Sequence, residues 1–209
     1  MTELEMKKYS RNALLGSFVS MLTAGLATMM YSVSISTIRT DLALTAVQAG
    51  SLGTYTFMGQ MLGGMVAGYL ADRYGRKNIL IVDVILATLA VFATSLLQSY
   101  SIFGILRFIT GVGLGGCYYI ASILIGEFVP TNKRGFMSGV ATSVWNFGYV
   151  VCCAMSAFAL PSIGWRWCFR ICALPIVFVI FMIFGMKDAP SFTAAKANRD
   201  KRDKEEGLC

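Results

Sequence analysis

Long uncharged stretches alternate with short charged ones along the 209-residue chain. Arg11 and Arg39 bracket 27 uncharged residues, and Asp41 and Asp72 bracket 30. Both exceed the ~20 mostly apolar residues that a helix needs to cross a bilayer core, with length to spare for tilt. From Asn78 to Gly126 run 49 residues in which only Asp83 and Arg107 are charged. That is too long for one crossing, and the polar stretch Gln98-Ser99-Tyr100-Ser101 supplies the turn between two. A further apolar stretch from Gly135 ends near Pro161 and Gly164, which do not comfortably continue a helix. The last begins near Trp165 and Trp167, residues suited to an interfacial aromatic belt. The pattern predicts an all-α membrane protein with six transmembrane helices at about 12–38, 42–71, 78–98, 102–126, 135–160 and 166–186. These form a bundle of residues 12–186, preceded by a short segment 1–11 and followed by a charged tail 187–209 that reads as a linker.

Composition narrows the class. Hydrophobic residues make up 56% of the chain and charged ones 14%, against about 25% charged in a soluble domain. The net charge of +7 raises nucleic acid as a partner, but the basic residues sit in clusters between apolar runs, where membrane orientation accounts for them better. Lys7, Lys8 and Arg11 precede span one; Arg73, Arg76 and Lys77 lie between spans two and three; Lys133 and Arg134 lie between spans four and five. The opposite side carries only Arg39, Arg166 and Arg170. Both termini are therefore expected in the cytoplasm, with the plasma or bacterial inner membrane as the expected location. The first apolar run has full-span length and no clear small-residue cleavage site, so it reads as a helix and not a cleavable signal. The six cysteines form no Cys-x-x-Cys pair and there are no histidines. Neither a metal site, a disulfide framework nor a cofactor is expected. No nucleophile–base pair stands out, so an enzyme is not expected.

Polar groups within apolar spans are the first candidates for function, because an ionisable side chain near a helix centre costs at least ~2.5 kcal/mol in a bilayer. Arg107 is the foremost. At about 100° per residue it shares a face of span four with Gly111, Gly115 and Tyr118, where it can attract a carboxylate or phosphate or pair within the bundle. On span five, Thr142, Trp145, Asn146 and Tyr149 follow i, i+3, i+4, i+7 spacing and make a polar-aromatic stripe, suited to a ring or polar solute and equally to helix packing. Gln60 and Tyr119 complete the candidate solute-binding set. Asp83 lies only about a turn and a half inside span three; it reads first as a side chain reaching cytoplasmic water and second as a coupling group. The glycine pairs Gly59/Gly63, Gly64/Gly68, Gly111/Gly115 and Gly135/Gly139 have the spacing of close helix packing.

The loop between spans two and three reads GYLADRYGRK, Gly68 to Lys77. Gly75 allows a tight turn. Asp72 sits by the positive end of the span-three helix dipole, within reach of Arg73 or Arg76. After it come RFITGVGLGG (Arg107–Gly116), GEFVPTNKRG (Gly126–Gly135), GWRW (Gly164–Trp167) and DAPSF (Asp188–Phe192). In order and spacing these strings resemble the major facilitator superfamily, in its metabolite–proton symporter and sugar-porter-like branches, over roughly residues 12–192. The resemblance implies the N-terminal six-helix half of a twelve-helix secondary transporter, with solute held between two halves near mid-membrane. It also implies a gating charge network, mapped here onto Asp72, Arg73, Arg76, Glu127 and Arg134. Relatives of this type carry acidic residues in span one, where this chain has Thr23-Ala24-Gly25-Leu26-Ala27, so facilitated diffusion stands open beside symport.

Two functional expectations follow. One is a secondary transporter, or its N-terminal half, moving a small organic solute such as an organic anion or sugar-like metabolite by alternating access. Its partners would be that solute, membrane lipid and either a second six-helix half or a second copy. The other is a transport-inactive half.

Overall fold

The computed structural model describes residues 3–185, and among these the chain is helical throughout, without strands. Helix α1 spans Glu3–Asp41, α2 Ala46–Tyr74, α3 Arg76–Thr94, α4 Tyr100–Phe128, α5 Arg134–Phe158, α6 Leu160–Cys172 and α7 Val177–Gly185, with single 3-10 turns at Thr131–Lys133 and Leu174–Ile176. The tail expected over 187–209 lies outside the described residues.

Five segments of the described residues are long and apolar enough to cross a membrane: Arg11–Asp41, Arg76–Thr94, Tyr100–Phe128, Thr131–Phe158 and Leu160–Gly185. Helix α2, the other expected span, has the length, at 29 residues, but Gln48, Ser51, Thr54, Thr56, Gln60 and six glycines dilute its apolarity. The expected boundaries shift in physically readable ways. Thr45 caps α2 through a capping box with Gln48, so the helix starts at Ala46 and not at residue 42. Gly75, at φ 98°, is the only residue between α2 and α3, a conformation glycine adopts without a side-chain clash. Pro161 does not stop span five. It sits in the first turn of α6, where its missing N–H leaves no bond unmade. Gly164, at φ 77°, does interrupt the helical path as expected, just ahead of residue 166, and Pro175 falls in the 3-10 turn before α7, so the sixth span is itself broken.

Helix α4 is the axis of the bundle, packed against α2, α3 and α1, while α5 lies along α1 and α6 joins α1 to α3. In a bilayer, helices associate mainly through close van der Waals contact, which small residues permit. A Cβ added at Gly59 or Gly63 of α2 would run into the α4 backbone at Phe108 or Val112, and one at Gly111 or Gly115 of α4 into the α2 backbone at Thr56 or Gln60. The α1–α5 seam repeats the device, with Gly25 against the backbone of Trp145 and Gly148 against that of Leu26 and Gly25.

The end of the bundle carrying Arg73, Arg76 and Lys77 is the basic end. There Lys77 Nζ donates to the Ile183 carbonyl (2.8 Å) and Asn12 Nδ2 to that of Gly185 (2.7 Å), tying α3 and α1 to the last turn of α7. At the opposite end Asp41 joins α1 to α6. It pairs with Arg166 at 2.8 Å and accepts a hydrogen bond from Trp165 Nε1 at 3.1 Å. Trp165 is thereby buried at 2% exposure, against Phe103 and Phe169; it is a core residue and not part of an interfacial belt. Trp167, 55% exposed, lies at the surface.

Gly63→Ala is expected to lose ~1–3 kcal/mol of stability from overpacking against Val112, whereas Gly68→Ala, which meets open space, should be neutral or gain up to about 1 kcal/mol. Unfolding midpoints in detergent micelles separate the two; equal tolerance at both sites would contradict the close-packed seam.

Candidate functional site

A cavity of about 370 Å³ opens between α1, α2, α4 and α5. Gln60, Phe57 and Met61 line it from α2, Tyr118 and Tyr119 with Leu114 and Gly115 from α4, Trp145 from α5 and Ala24 from α1. The glycine seams shape it. Gly25 brings the α5 backbone at Trp145 onto α1, and the Tyr119 ring fills the space that a side chain at Gly64 would take. Tyr118 and Tyr119 meet edge to face, with ring centroids 5.8 Å apart. Gln60 Nε2 donates to Thr28 Oγ1 at 3.4 Å. The wall is aromatic with few polar groups, the usual make-up of a small-molecule site.

Four of the residues singled out in the sequence thus meet here: Gln60, Tyr118, Tyr119 and Trp145. The rest of the α5 stripe does not line the cavity. Thr142 Oγ1 donates to the Ser138 carbonyl (3.1 Å) and Asn146 Nδ2 to that of Thr142 (2.9 Å). Both residues are exposed, as is Tyr149. Phe57 and Met61 were missed, although with Gln60 they occupy i, i+3 and i+4 on one α2 face, a signal hidden by the many apolar residues around them.

Arg107 does not line this cavity either. It lies two helical turns along α4 from Leu114, about 10 Å, at 1% exposure and among the largest fully buried side chains. Its guanidinium stacks on the Tyr31 ring at 4.4 Å from the centroid, and the Tyr31 hydroxyl donates to the Ala49 carbonyl. Nε and Nη1 of Arg107 have no hydrogen-bond acceptor. A buried cation normally keeps a partner, and cation–π contact satisfies only part of that need.

At the basic end, Arg76 forms an ion pair with Glu127 across the α3–α4 interface and lies 3.6 Å from Asp72. The second contact spans the Gly75 joint. The expected five-residue network is smaller than the motif implied. Arg73 lies over the Tyr74 ring at 5.7 Å, and Arg134 Nε donates to the Val129 carbonyl at 3.1 Å, capping the end of α4 instead of joining a carboxylate. Asp72 is 75% exposed, while Arg76 and Glu127 are each 20% exposed.

The Major Facilitator Superfamily model matches residues 17–206. The chain belongs to the major facilitator superfamily. It is 30% identical to the cis,cis-muconate transport protein of Acinetobacter baylyi over 190 residues, 91% of this chain and 46% of that protein. It is 32% identical to the niacin transporter NiaP of the same organism over 81% of this chain and 38% of that one. The fold superposes on the xylose transporter XylE of Escherichia coli in its inward open conformation with a TM-score of 0.78 at 21% identity, covering 95% of this chain and 53% of XylE. This major facilitator chain therefore spans about half the length of the relatives it matches, and it is a membrane protein built from one six-helix half of that fold. In it, α6 and α7 with their 3-10 turn make the sixth helix.

Glu127→Gln is expected to cost ~1–3 kcal/mol, because Arg76 keeps a partly buried charge without its partner. Asp72→Asn should change stability by less than ~0.5 kcal/mol, being exposed. Paired unfolding measurements test the asymmetry.

Proposed function

We propose that this chain is the solute-binding half of a secondary transporter that moves a small organic anion with a flat, conjugated body by alternating access. The observation that carries the reading is the aromatic cavity with a buried, acceptor-poor guanidinium two turns along the same helix. Trp145, Tyr118 and Tyr119 offer ring faces, and Gln60 offers an amide. Arg107 supplies positive charge for a carboxylate that reaches it when the bundle rearranges. The relatives named for muconate and niacin transport carry solutes of this kind, since both are unsaturated carboxylic acids.

The exposed polar face of α5, with Thr142, Asn146 and Tyr149, is assigned to the boundary with a second six-helix unit, either a C-terminal half or a second copy related by an axis along the membrane normal. The basic end is assigned to the cytoplasm, which puts both termini inside, in a plasma or bacterial inner membrane. Arg76, Glu127 and Asp72 then form a cytoplasmic clasp that opens as the half rocks.

The test is uptake of labelled cis,cis-muconate and nicotinate into vesicles holding the chain. Saturable uptake is expected, with Trp145→Ala and Arg107→Ala each lowering it about tenfold or more, the equivalent of one lost charged or stacking contact of ~1.4 kcal/mol or above. Uptake indifferent to both changes would sink the reading. Crosslinking in the same vesicles decides the partner: a crosslinked pair supports the second copy, and activity from uncrosslinked monomer removes it.

A further inference from the structure

Beyond the basic pair Arg76 and Lys77 at its start, helix α3 holds one charged residue, Asp83. Asp83 lies seven residues from the helix start at Arg76, about 10 Å from the basic end, a depth from which a carboxylate on a tilted or frayed helix can still reach water. It does not do so here. The residue is 6% exposed and points into the α3–α4 seam, where its carboxylate occupies the space that any side chain at Gly116 would need. Oδ2 is buried without a hydrogen-bond donor, and among the described residues no Lys or Arg pairs with it.

The surroundings offer no structural reason for a carboxyl group. Among the described residues, Cys117 of α4 is a titratable side chain close enough to interact with it electrostatically. Its neighbours on α3, Leu80 and Val84, and Cys117 and Ile120 of α4 belong to a buried apolar cluster. The nearby charges are engaged elsewhere, Arg76 by Glu127 and Lys77 by the Ile183 carbonyl. Arg170 of α6 is held by Ser95 at the far end of α3 (3.3 Å), and Arg11 of α1 is exposed. A leucine or asparagine of similar size would fill the same space without the burden of an ionisable group inside a membrane. The position of Asp83 is informative too: Gly113 and Gly116 bring α4 so near that the carboxyl lies directly against the α4 backbone at Gly116.

We propose that Asp83 is a proton-exchange site that ties solute movement to the proton gradient. The O–H bond of the neutral carboxyl breaks to water when the seam loosens toward one side of the membrane and re-forms with a proton from the other, one proton per cycle and with no electron transfer. This inference rests on the transporter reading above.

Two measurements test it. Infrared spectra of the chain in lipid vesicles are expected to show a carboxylic C=O band that Asp83→Asn removes and that fades reversibly as the bath is made alkaline. A band untouched by the substitution, or insensitive to bath pH, overturns the proposal. In vesicles with an alkaline interior, the wild type should accumulate cis,cis-muconate several-fold beyond equilibrium. Asp83→Asn should keep counterflow yet lose this accumulation, and Asp83→Glu should retain pH dependence. Accumulation persisting in Asp83→Asn overturns the coupling role and leaves the transporter standing. Loss of counterflow in both variants marks Asp83 as a packing residue and also overturns it. Absent counterflow in the wild type removes transport by this chain alone or as paired copies, and the coupling role with it, whatever the infrared band shows.

Discussion

The backbone of α4 lies in direct contact with the backbones of its neighbours, and every other feature of the molecule is placed by that contact. Lipid tails are as apolar as leucine, so burying apolar side chains between helices gains little in a membrane. Closeness of approach, with the dispersion contacts it brings, does the joining instead. Gly111 and Gly115 set α4 against α2, and Gly113 and Gly116 set it against α3. The seams go with particular side-chain placements: Leu114 at the cavity, Asp83 of α3 against Gly116, and Arg107, a turn before Gly111, over Tyr31. A chain with alanines at the glycine positions would be no less apolar, yet its helices could not approach as closely.

Apart from the buried Arg107 and Asp83, the paired charges sit at the two ends of the bundle. At the basic end Glu127 holds Arg76 across α3 and α4; at the other Asp41 holds both Arg166 and the Trp165 indole across α1 and α6. Each carboxylate does a job that packing does inside the bundle, fixing which helices meet at a rim where water competes. The two clasps bind different helix pairs, so releasing one leaves the other intact. On the exposed face of α5, Thr142 and Asn146 donate to carbonyls of their own helix, while Cys152 and Ser156 on the other side donate to α1.

Much of the fold was legible in the sequence, because a bilayer sets a length that uncharged stretches either reach or miss. The turn at Gln98–Ser99, the glycine joint at Gly75 and the helix–helix seams could all be read from spacing. The inward face of each helix could not be read in the same way. When nearly every residue of a helix is apolar, periodicity carries little information about which side is buried, and so Arg107 was placed with Tyr118 although the cavity stops short of it. Trp165 and Trp167 differ by two positions and belong to core and surface, a distinction made by Asp41, 124 residues away from Trp165. Arg134 matched a charge pattern yet donates to a carbonyl five residues back, at the end of α4, a use that spacing alone does not reveal. Half of the candidate cavity was found from polar residues; Phe57 and Met61 were not, for want of contrast with their neighbours.

The joint at Gly75 has a mechanical meaning. Two helices linked by a long loop can shift along their axes independently, and any such slack absorbs a push before it is passed on. Here one residue separates α2 from α3, its N–H still bonded to the Ala71 carbonyl and its own carbonyl receiving the Ile79 N–H. The linkage can pivot but cannot lengthen. With no loop between them to take up slack, an axial shift of either helix has to be met by its neighbour or by a pivot at Gly75.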